Sequence, residues 1–411
     1  MTQRDDSCHK RSCTNCPEPV YSQVGAKKGE NPICEILALA ARPEVISFGG
    51  GLPSPDGFPS EEIRAAADYV LQHDAKRALQ YSAGQGMLEL REQIAKYESD
   101  RGVPTTPDQV MIVSGSQQAL DLVGRAFIDP GSRILVECPT YLGALDAFKM
   151  SKPVVEPLPT DAKGLNPCEM TESCRGARFA YVMPTFQNPT GLTLDHDRRL
   201  KLAEKAREYD LWLIEDNPYS ELYYGEAPCA SIRQYAPERT LTLGTMSKIL
   251  APGLRLGYIV APAHVIKTLL DLKISMDLHT STYSQLVAAR LLSEGILKEH
   301  LPKVRQIYAN KAKVMLDSLD KFMPKHEEVT WTRPDGGMFI WLNLPKHIDA
   351  TDLVRRVLAS DVPVGFVPGV HFYGAGAETN HARFSFVTVP EEKIVRGIES
   401  IAKVLKEMLA E

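Results

Sequence analysis

The feature that most constrains this chain is an alternation between residues 110 and 260, where short apolar runs are separated by helical patterns. Val110-Met111-Ile112-Val113, Arg133-Ile134-Leu135-Val136, Ala180-Tyr181-Val182-Met183 and Leu211-Trp212-Leu213-Ile214 read as strands. So do Thr240-Leu241-Thr242-Leu243 and Leu256-Gly257-Tyr258-Ile259-Val260. Several are apolar at nearly every position, as strands covered on both faces are. Between them, residues 117–127, 142–150 and 195–210 carry helical patterns. This alternation predicts an α/β fold with a mostly parallel sheet flanked by helices.

The flanks differ. Helices are expected at 61–73, with Ser60 as N-cap, and at 87–100. A short amphipathic stretch at 33–41 and the turn-rich Gly49-Gly50-Gly51-Leu52-Pro53 come earlier. Beyond residue 266 the pattern is mainly helical, through 274–293 and 298–319. The last part mixes strands at 338–342 and 383–387 with helices at 350–358 and 391–409. The expected organisation is a flexible polar leader at 1–29 and an N-terminal segment at 30–60, packing near the site and the smaller domain. A large ligand-binding domain at 61–300 and a smaller α+β domain at 301–411 complete it.

Composition removes several classes of function. Lys+Arg 47 against Asp+Glu 52 leaves a net charge of −5 with no basic stripe, so a nucleic-acid partner is not expected. No apolar run reaches the roughly 18 residues of a membrane span. The start of the chain lacks the apolar core of a secretory signal. Eight cysteines in 411 residues do not make a disulfide scaffold. Cys8, His9, Cys13 and Cys16 could together hold zinc, but their spacing fits no common zinc motif, so a reduced polar tail without metal is the reading. The expected compartment is the cytoplasm.

In open α/β sheets, ligands sit at the carboxyl ends of the strands. Here Val113 is followed by Ser114-Gly115-Ser116-Gln117-Gln118, small residues opening a helix, which suits an anion. Val136 leads to Tyr141, an aromatic face, and Met183 leads to Asn188-Pro189-Thr190-Gly191, an amide. Ile214 leads to Asp216 and Tyr219, and Leu243 leads to Thr245, Ser247, Lys248 and Arg255. Singly, each has an ordinary structural explanation. Together they suit a planar, phosphorylated, nitrogen-containing ligand that reacts with an amine, such as pyridoxal 5′-phosphate (PLP). A dinucleotide fits less well, because no Gly-x-Gly-x-x-Gly follows an early strand.

These motifs resemble those of the class I/II PLP-dependent aminotransferases of fold type I. The similarity extends from about residue 33 to the C-terminus, and the branch is that of 2-aminoadipate, kynurenine and aromatic aminotransferases. It rests on Ser114-Gly115-Ser116-Gln117-Gln118-Ala119-Leu120-Asp121, Gln187-Asn188-Pro189-Thr190-Gly191 and the run from Ser247-Lys248 to Arg255-Leu256-Gly257. The resemblance implies roles. Lys248 matches the lysine that forms the Schiff base and later moves the α-proton. Asp216 matches the counter-ion of the ring nitrogen. Tyr219 and Asn188 match the partners of the ring hydroxyl, and Tyr141 the stacking ring. Ser116, Gln117, Thr245, Ser247 and Arg255 match the phosphate cradle. Arg383 matches the clamp on the substrate α-carboxylate, with Asn188 beside it. Tyr81 matches a tyrosine that reaches the phosphate of a neighbouring subunit, which implies a homodimer with shared sites.

Some positions depart from the family pattern. Thr245-Met246 stands where Ser-Phe is frequent, and Asn217 where a second Asp is frequent. Cys34 occupies a stretch in which some aminoadipate-type relatives carry an arginine for the distal carboxylate. Either acidic side chains are recognised differently here or the amino donor is apolar or aromatic, and the resemblance implies 2-oxoglutarate as acceptor and ping-pong kinetics. Two alternatives remain: another PLP reaction on the same scaffold (β-lyase, racemase, decarboxylase or oxidase), or a non-catalytic effector-binding module. The second normally follows a winged-helix domain, which the short leader is not expected to hold.

Overall fold

The computed structural model describes residues 19–22, 25 and 42–411. The stretch at 33–41 with Cys34, and the Cys8–Cys16 cluster, lie outside the described residues.

Strand–helix alternation builds a seven-stranded sheet. Across it the order is Val110–Val113, Gly257–Val260, Thr240–Thr245, Trp212–Asp216, Phe179–Val182, Arg133–Val136 and Val154–Pro157. Neighbours pair in parallel except Gly257–Val260, which is antiparallel to the strands on both sides. Residues 246–256 are too few to carry a crossover, so the chain must return antiparallel. The two strands central to the site, Phe179–Val182 and Thr240–Thr245, are buried along their whole length. The edge strand Val154–Pro157 was not anticipated. It is largely solvent-facing and pairs on one side only, so burial leaves no apolar signature in its sequence.

Helices follow the expected positions with three differences. The first spans Ser60–His73 with Pro59 as N-cap, because the Ile63 N–H already donates to the Pro59 carbonyl at 2.9 Å. Ser60 is thus inside the helix and caps nothing. The expected 274–293 helix is two helices, Ala263–Asp277 and Thr282–Ser293. Leu278 takes a positive φ of 60°, and polar side chains on either side are drawn into tertiary hydrogen bonds. Ser281 then caps the second helix through Oγ. Finally, the helix expected at 298–319 extends a little further at both ends, as Ile296–Phe322.

A second, antiparallel sheet orders Thr330–Trp331, Phe339–Asn343, His381–Ser385 and Val367–Pro368. The short strand Ile46–Ser47 pairs in parallel with Val364–Gly365. Met111 and Ile214 of the large sheet share one buried apolar cluster with Phe339 and Phe384 of the small one. That continuous core sets the groove between the sheets. The segment after Ile46–Ser47 enters this groove, held where the Ser385 N–H donates to the Phe48 carbonyl at 2.8 Å.

Candidate active site

The carboxyl ends of five parallel strands open onto one cleft of about 480 Å³. Of the twelve sequence-predicted cofactor and substrate residues, eleven line it, Arg383 coming from the small sheet; the twelfth, Tyr81, expected at a neighbouring subunit's site, does not.

At the end of Val110–Val113 the chain turns through Gly115 into the helix Ser116–Phe127. Gly115 has φ +86°, and a Cβ there would lie 2.4 Å from Arg255 Nη2. A Cβ on Gly257 would lie 2.8 Å from the Ser116 nitrogen. Two glycines thus let a helix start, a guanidinium and a neighbouring strand close up. The Gly115 N-cap has no side chain, so the first N–H groups of the helix stay available to an anion. Arg255 adds its charge from the rim, donating to the Ser114 carbonyl at 3.3 Å. Thr245 Oγ1 accepts from the Ser247 N–H at 3.1 Å, fixing the turn that carries both hydroxyls. Gln117 is at the helix start and donates to the Gly143 carbonyl at 2.9 Å, under Tyr141. This end of the cleft fits a phosphate.

Asp216 ends the strand Trp212–Asp216 and is buried. Its Oδ2 accepts the Tyr181 hydroxyl at 2.7 Å, while its Oδ1 has no partner among the described residues. Desolvation lifts the carboxyl to about 6; the Tyr181 bond opposes the rise and nearby Glu215 adds to it. An orphaned buried acceptor is costly unless a ligand satisfies it. A protonated ring nitrogen is such a ligand.

Lys248 donates from Nζ to the Gly51 carbonyl at 2.6 Å. Burial first, then the cations Arg383 and Arg255, depress its ammonium to about 8. About a tenth of the amine is therefore neutral at pH 7, far more than for an ordinary lysine, and it is the neutral form that a nucleophilic amine requires. Arg383, on His381–Ser385, donates from Nη1 to Asn188 Oδ1 at 2.9 Å and from Nη2 to the Gly49 carbonyl at 2.7 Å. Its Nε has no partner among the described residues. The guanidinium lies over the Phe339 ring at 4.4 Å and the Phe372 ring at 5.0 Å. Burial lowers it to about 10, which leaves it cationic at neutral pH. Tyr219 is buried edge-on to Phe339, with ring centroids 5.7 Å apart; burial raises its phenol, and Asn188 beside it acts the other way. Burial also raises the Tyr141 phenol, and Asp216 adds to the effect.

Tyr81 stands apart. It is 77% exposed, outside the cleft, with its ring edge-on to His279 at 5.6 Å. Sequence reasoning missed two contributors. Tyr181 sits mid-strand in an apolar run, where a phenol reads as packing; only the register of Tyr181 opposite Ile214 brings it beside Asp216. The Gly49 and Gly51 carbonyls belong to a run that looks like a plain turn in the sequence, although three successive glycines signal a close backbone approach.

The residues present thus fit PLP at both ends: an anion cradle with an arginine, and a buried carboxylate with one free oxygen, bracketing a perturbed lysine. The comparisons with known proteins agree. The family Aminotransferase class I and II matches residues 43–401. The aromatic-amino-acid aminotransferase 1 of Thermococcus litoralis is 41% identical over 399 residues, covering 95% of each chain. The 2-aminoadipate transaminase of Thermus thermophilus is 41% identical over 92% of this chain and 94% of its own. The kynurenine aminotransferase structure from Pyrococcus horikoshii, which contains pyridoxamine phosphate (PMP), superimposes with a TM-score of 0.90 at 39% identity, over 95% of this chain and 97% of that one. With this cleft and these relatives, the chain belongs to the class I and II aminotransferases and is a PLP-dependent aminotransferase of fold type I.

Proposed function

We propose that this aminotransferase takes its amino group from an apolar or aromatic L-amino acid and passes it to 2-oxoglutarate by ping-pong turnover. The observation that carries the donor class is the use of charge in the cleft. Among the described residues lining it, the cations are Lys248, Arg255 and Arg383, and each has a place: amine, phosphate, α-carboxylate. The remaining wall includes Leu52, Leu142, Val367 and the Tyr141 ring, which offer apolar contact and no partner for a second carboxylate. The LysN structure from Thermus thermophilus, 38% identical with a TM-score of 0.86, holds N-(5′-phosphopyridoxyl)-L-leucine, so a related cleft accepts an apolar side chain.

In this reading Arg383 binds the α-carboxylate and so turns Cα–H toward Lys248. Lys248 Nζ, its ammonium depressed to about 8 by burial, is the base that in its neutral form takes the Cα proton. When bound, the cofactor's protonated ring supplies the electron sink for the charge left at Cα. Asp216 Oδ1 holds that ring proton in place. Tyr219 and Asn188 hold the ring hydroxyl, and Tyr141 covers the ring face and excludes water. Ser116, Gln117, Thr245, Ser247 and Arg255 anchor the phosphate.

We also propose a homodimer in which Tyr81 completes the partner's phosphate site. Leu79 is 75% exposed next to Tyr81, and Ile274 and Leu278, under the same loop, are exposed as well. An apolar patch of this kind suits a second copy of the chain. The proposed compartment is the cytoplasm, where the free thiols of Cys138, Cys168, Cys174 and Cys229 would stay reduced.

The test is a panel of amino donors in single half-reactions, scored by bleaching of the visible band of the lysine-bound cofactor. Leucine, phenylalanine or kynurenine should lead in kcat/KM. A threefold or greater preference for 2-aminoadipate over leucine and phenylalanine would overturn the donor assignment. Release of many product equivalents per site with no oxo-acid acceptor present would favour a lyase or decarboxylase instead, since transamination stops after one.

A further inference from the structure

The turn that carries Tyr219 is gripped from behind by two arginines. Arg305, on the helix Ile296–Phe322, donates from Nε to the Glu221 carbonyl and from Nη2 to Glu221 Oε2, both at 2.7 Å. Its guanidinium also covers the Tyr223 ring at 3.6 Å. Arg101, following the helix Leu88–Asp100, reaches Glu221 Oε1 at 3.2 Å and donates to Ser220 Oγ at 2.6 Å. Tyr97 adds a hydroxyl to Glu221 Oε1 at 3.0 Å. The Glu221 side chain is only 14% exposed. On the opposite side, the Leu222 carbonyl accepts from the Gly337 N–H at 2.8 Å, and the Leu222 N–H returns to the Tyr219 carbonyl at 2.8 Å.

Each contact falls within four residues of Tyr219, yet none of these side chains lines the cleft. A helix needs no such convergence merely to pack, and surface ion pairs contribute little to stability. Here one carboxylate takes two guanidiniums and a phenol while a main-chain carbonyl is bound as well. That pattern fixes a backbone segment in one geometry. From these contacts we infer that Arg305, acting through Glu221, is a positioning residue that holds the Tyr219 hydroxyl at the bound cofactor's ring oxygen. The inference rests on the proposed role of Tyr219.

A hydroxyl that donates to an anionic ring oxygen favours the anion and so lowers the pH at which the visible absorbance of the lysine-bound cofactor titrates. Loosening that hydroxyl raises the midpoint. The experiment measures this midpoint on the holoenzyme of wild type, Arg305→Met, Tyr219→Phe and the double variant. Arg305 is the side to change, because Arg101 still pairs with Glu221; Glu221→Gln would leave two cations facing each other. Tyr219→Phe should raise the midpoint by about one unit, Arg305→Met by about half a unit or more, and the double variant no further than Tyr219→Phe alone. For Arg305→Met, kcat should fall about tenfold with KM for the amino donor unchanged, as misplacement of a group at the chemistry predicts. Arg305→Lys, which keeps the charge and loses the fork, gives the same comparison if the Met variant does not fold. An Arg305 midpoint equal to wild type, beside a shifted Tyr219→Phe, overturns the positioning role and leaves Tyr219 standing. An unshifted Tyr219→Phe overturns the Tyr219 assignment itself, and the positioning role with it.

Discussion

Replacing Tyr181 with Phe isolates the electrostatics of the buried carboxylate. The change removes one oxygen and leaves the ring in place, so packing is conserved. What is lost is the 2.7 Å bond to Asp216 Oδ2, in a site where Asp216 Oδ1 already lacks a partner. Stranding a buried charged acceptor costs about 1–3 kcal/mol. At 1.36 kcal/mol per unit, that raises the Asp216 pKa by roughly one to two units. The wild-type value of about 6 then moves to roughly 7–8. The sign follows from proton counts. Between the ordinary carboxylate value and about 6, the folded state holds the Asp216 proton and the unfolded state does not. This group's contribution to apoenzyme stability is therefore full at low pH and falls as pH rises through that window. In the variant the fall continues to roughly pH 7–8, so the apoenzyme is about 1 kcal/mol less stable at pH 7, and the full loss of about 1–3 kcal/mol is reached only above that window. Cofactor association gives the second readout, since protonated Asp216 offers no counter-charge to the ring. Titrating apoenzyme with PLP from acid to neutral pH should show an acid limb displaced upward by one to two units in the variant relative to wild type. Superimposable limbs from a folded Tyr181→Phe protein would refute the argument that this phenol keeps Asp216 ionised.

Three further outcomes are expected. Gly115→Ala places a Cβ against the Arg255 guanidinium at a positive φ, so PLP affinity should drop at least about tenfold while the apoenzyme still folds; direct binding titration checks this. Arg383→Ala removes a buried guanidinium and leaves Asn188 Oδ1 and the Gly49 carbonyl unpaired, so kcat/KM should fall by about 10² or more while the visible absorbance of the bound cofactor persists; half-reaction kinetics and the spectrum report the two separately. Tyr81→Phe should weaken PLP binding in a protein that sediments as a dimer, and mixing it with a Lys248→Ala subunit should restore one competent site per hybrid dimer.

The central strands were legible because burial on both faces writes itself into the sequence as continuous apolar runs. The cleft was legible because the topology of a parallel sheet forces strand ends together, so Ser116, Tyr141, Asn188, Asp216 and Lys248 could be grouped without coordinates. What escaped was whatever depends on tertiary register. Tyr181 acts on Asp216 across two neighbouring strands, and nothing local distinguishes it from a packing tyrosine. The break at Leu278 was hidden because helical periodicity continues on both sides of it; the polar residues of the break are used by tertiary bonds such as Thr282 Oγ1 to the Gln80 carbonyl at 3.1 Å. The edge strand Val154–Pro157 was silent because its half-exposed residues have no burial pattern to display. Arg305 and Glu221 lie 84 residues apart, and charged residues on amphipathic helices default to solvent in any reading of sequence alone.

The most direct measurement is borohydride reduction of the purified holoenzyme followed by peptide mass mapping. Reduction should fix the cofactor's mass on the peptide that contains Lys248, with loss of the visible band, and Lys248→Ala protein treated in the same way should carry no added mass. Cofactor attached at another lysine, or a wild-type protein that takes up PLP without any covalent adduct, would contradict the account.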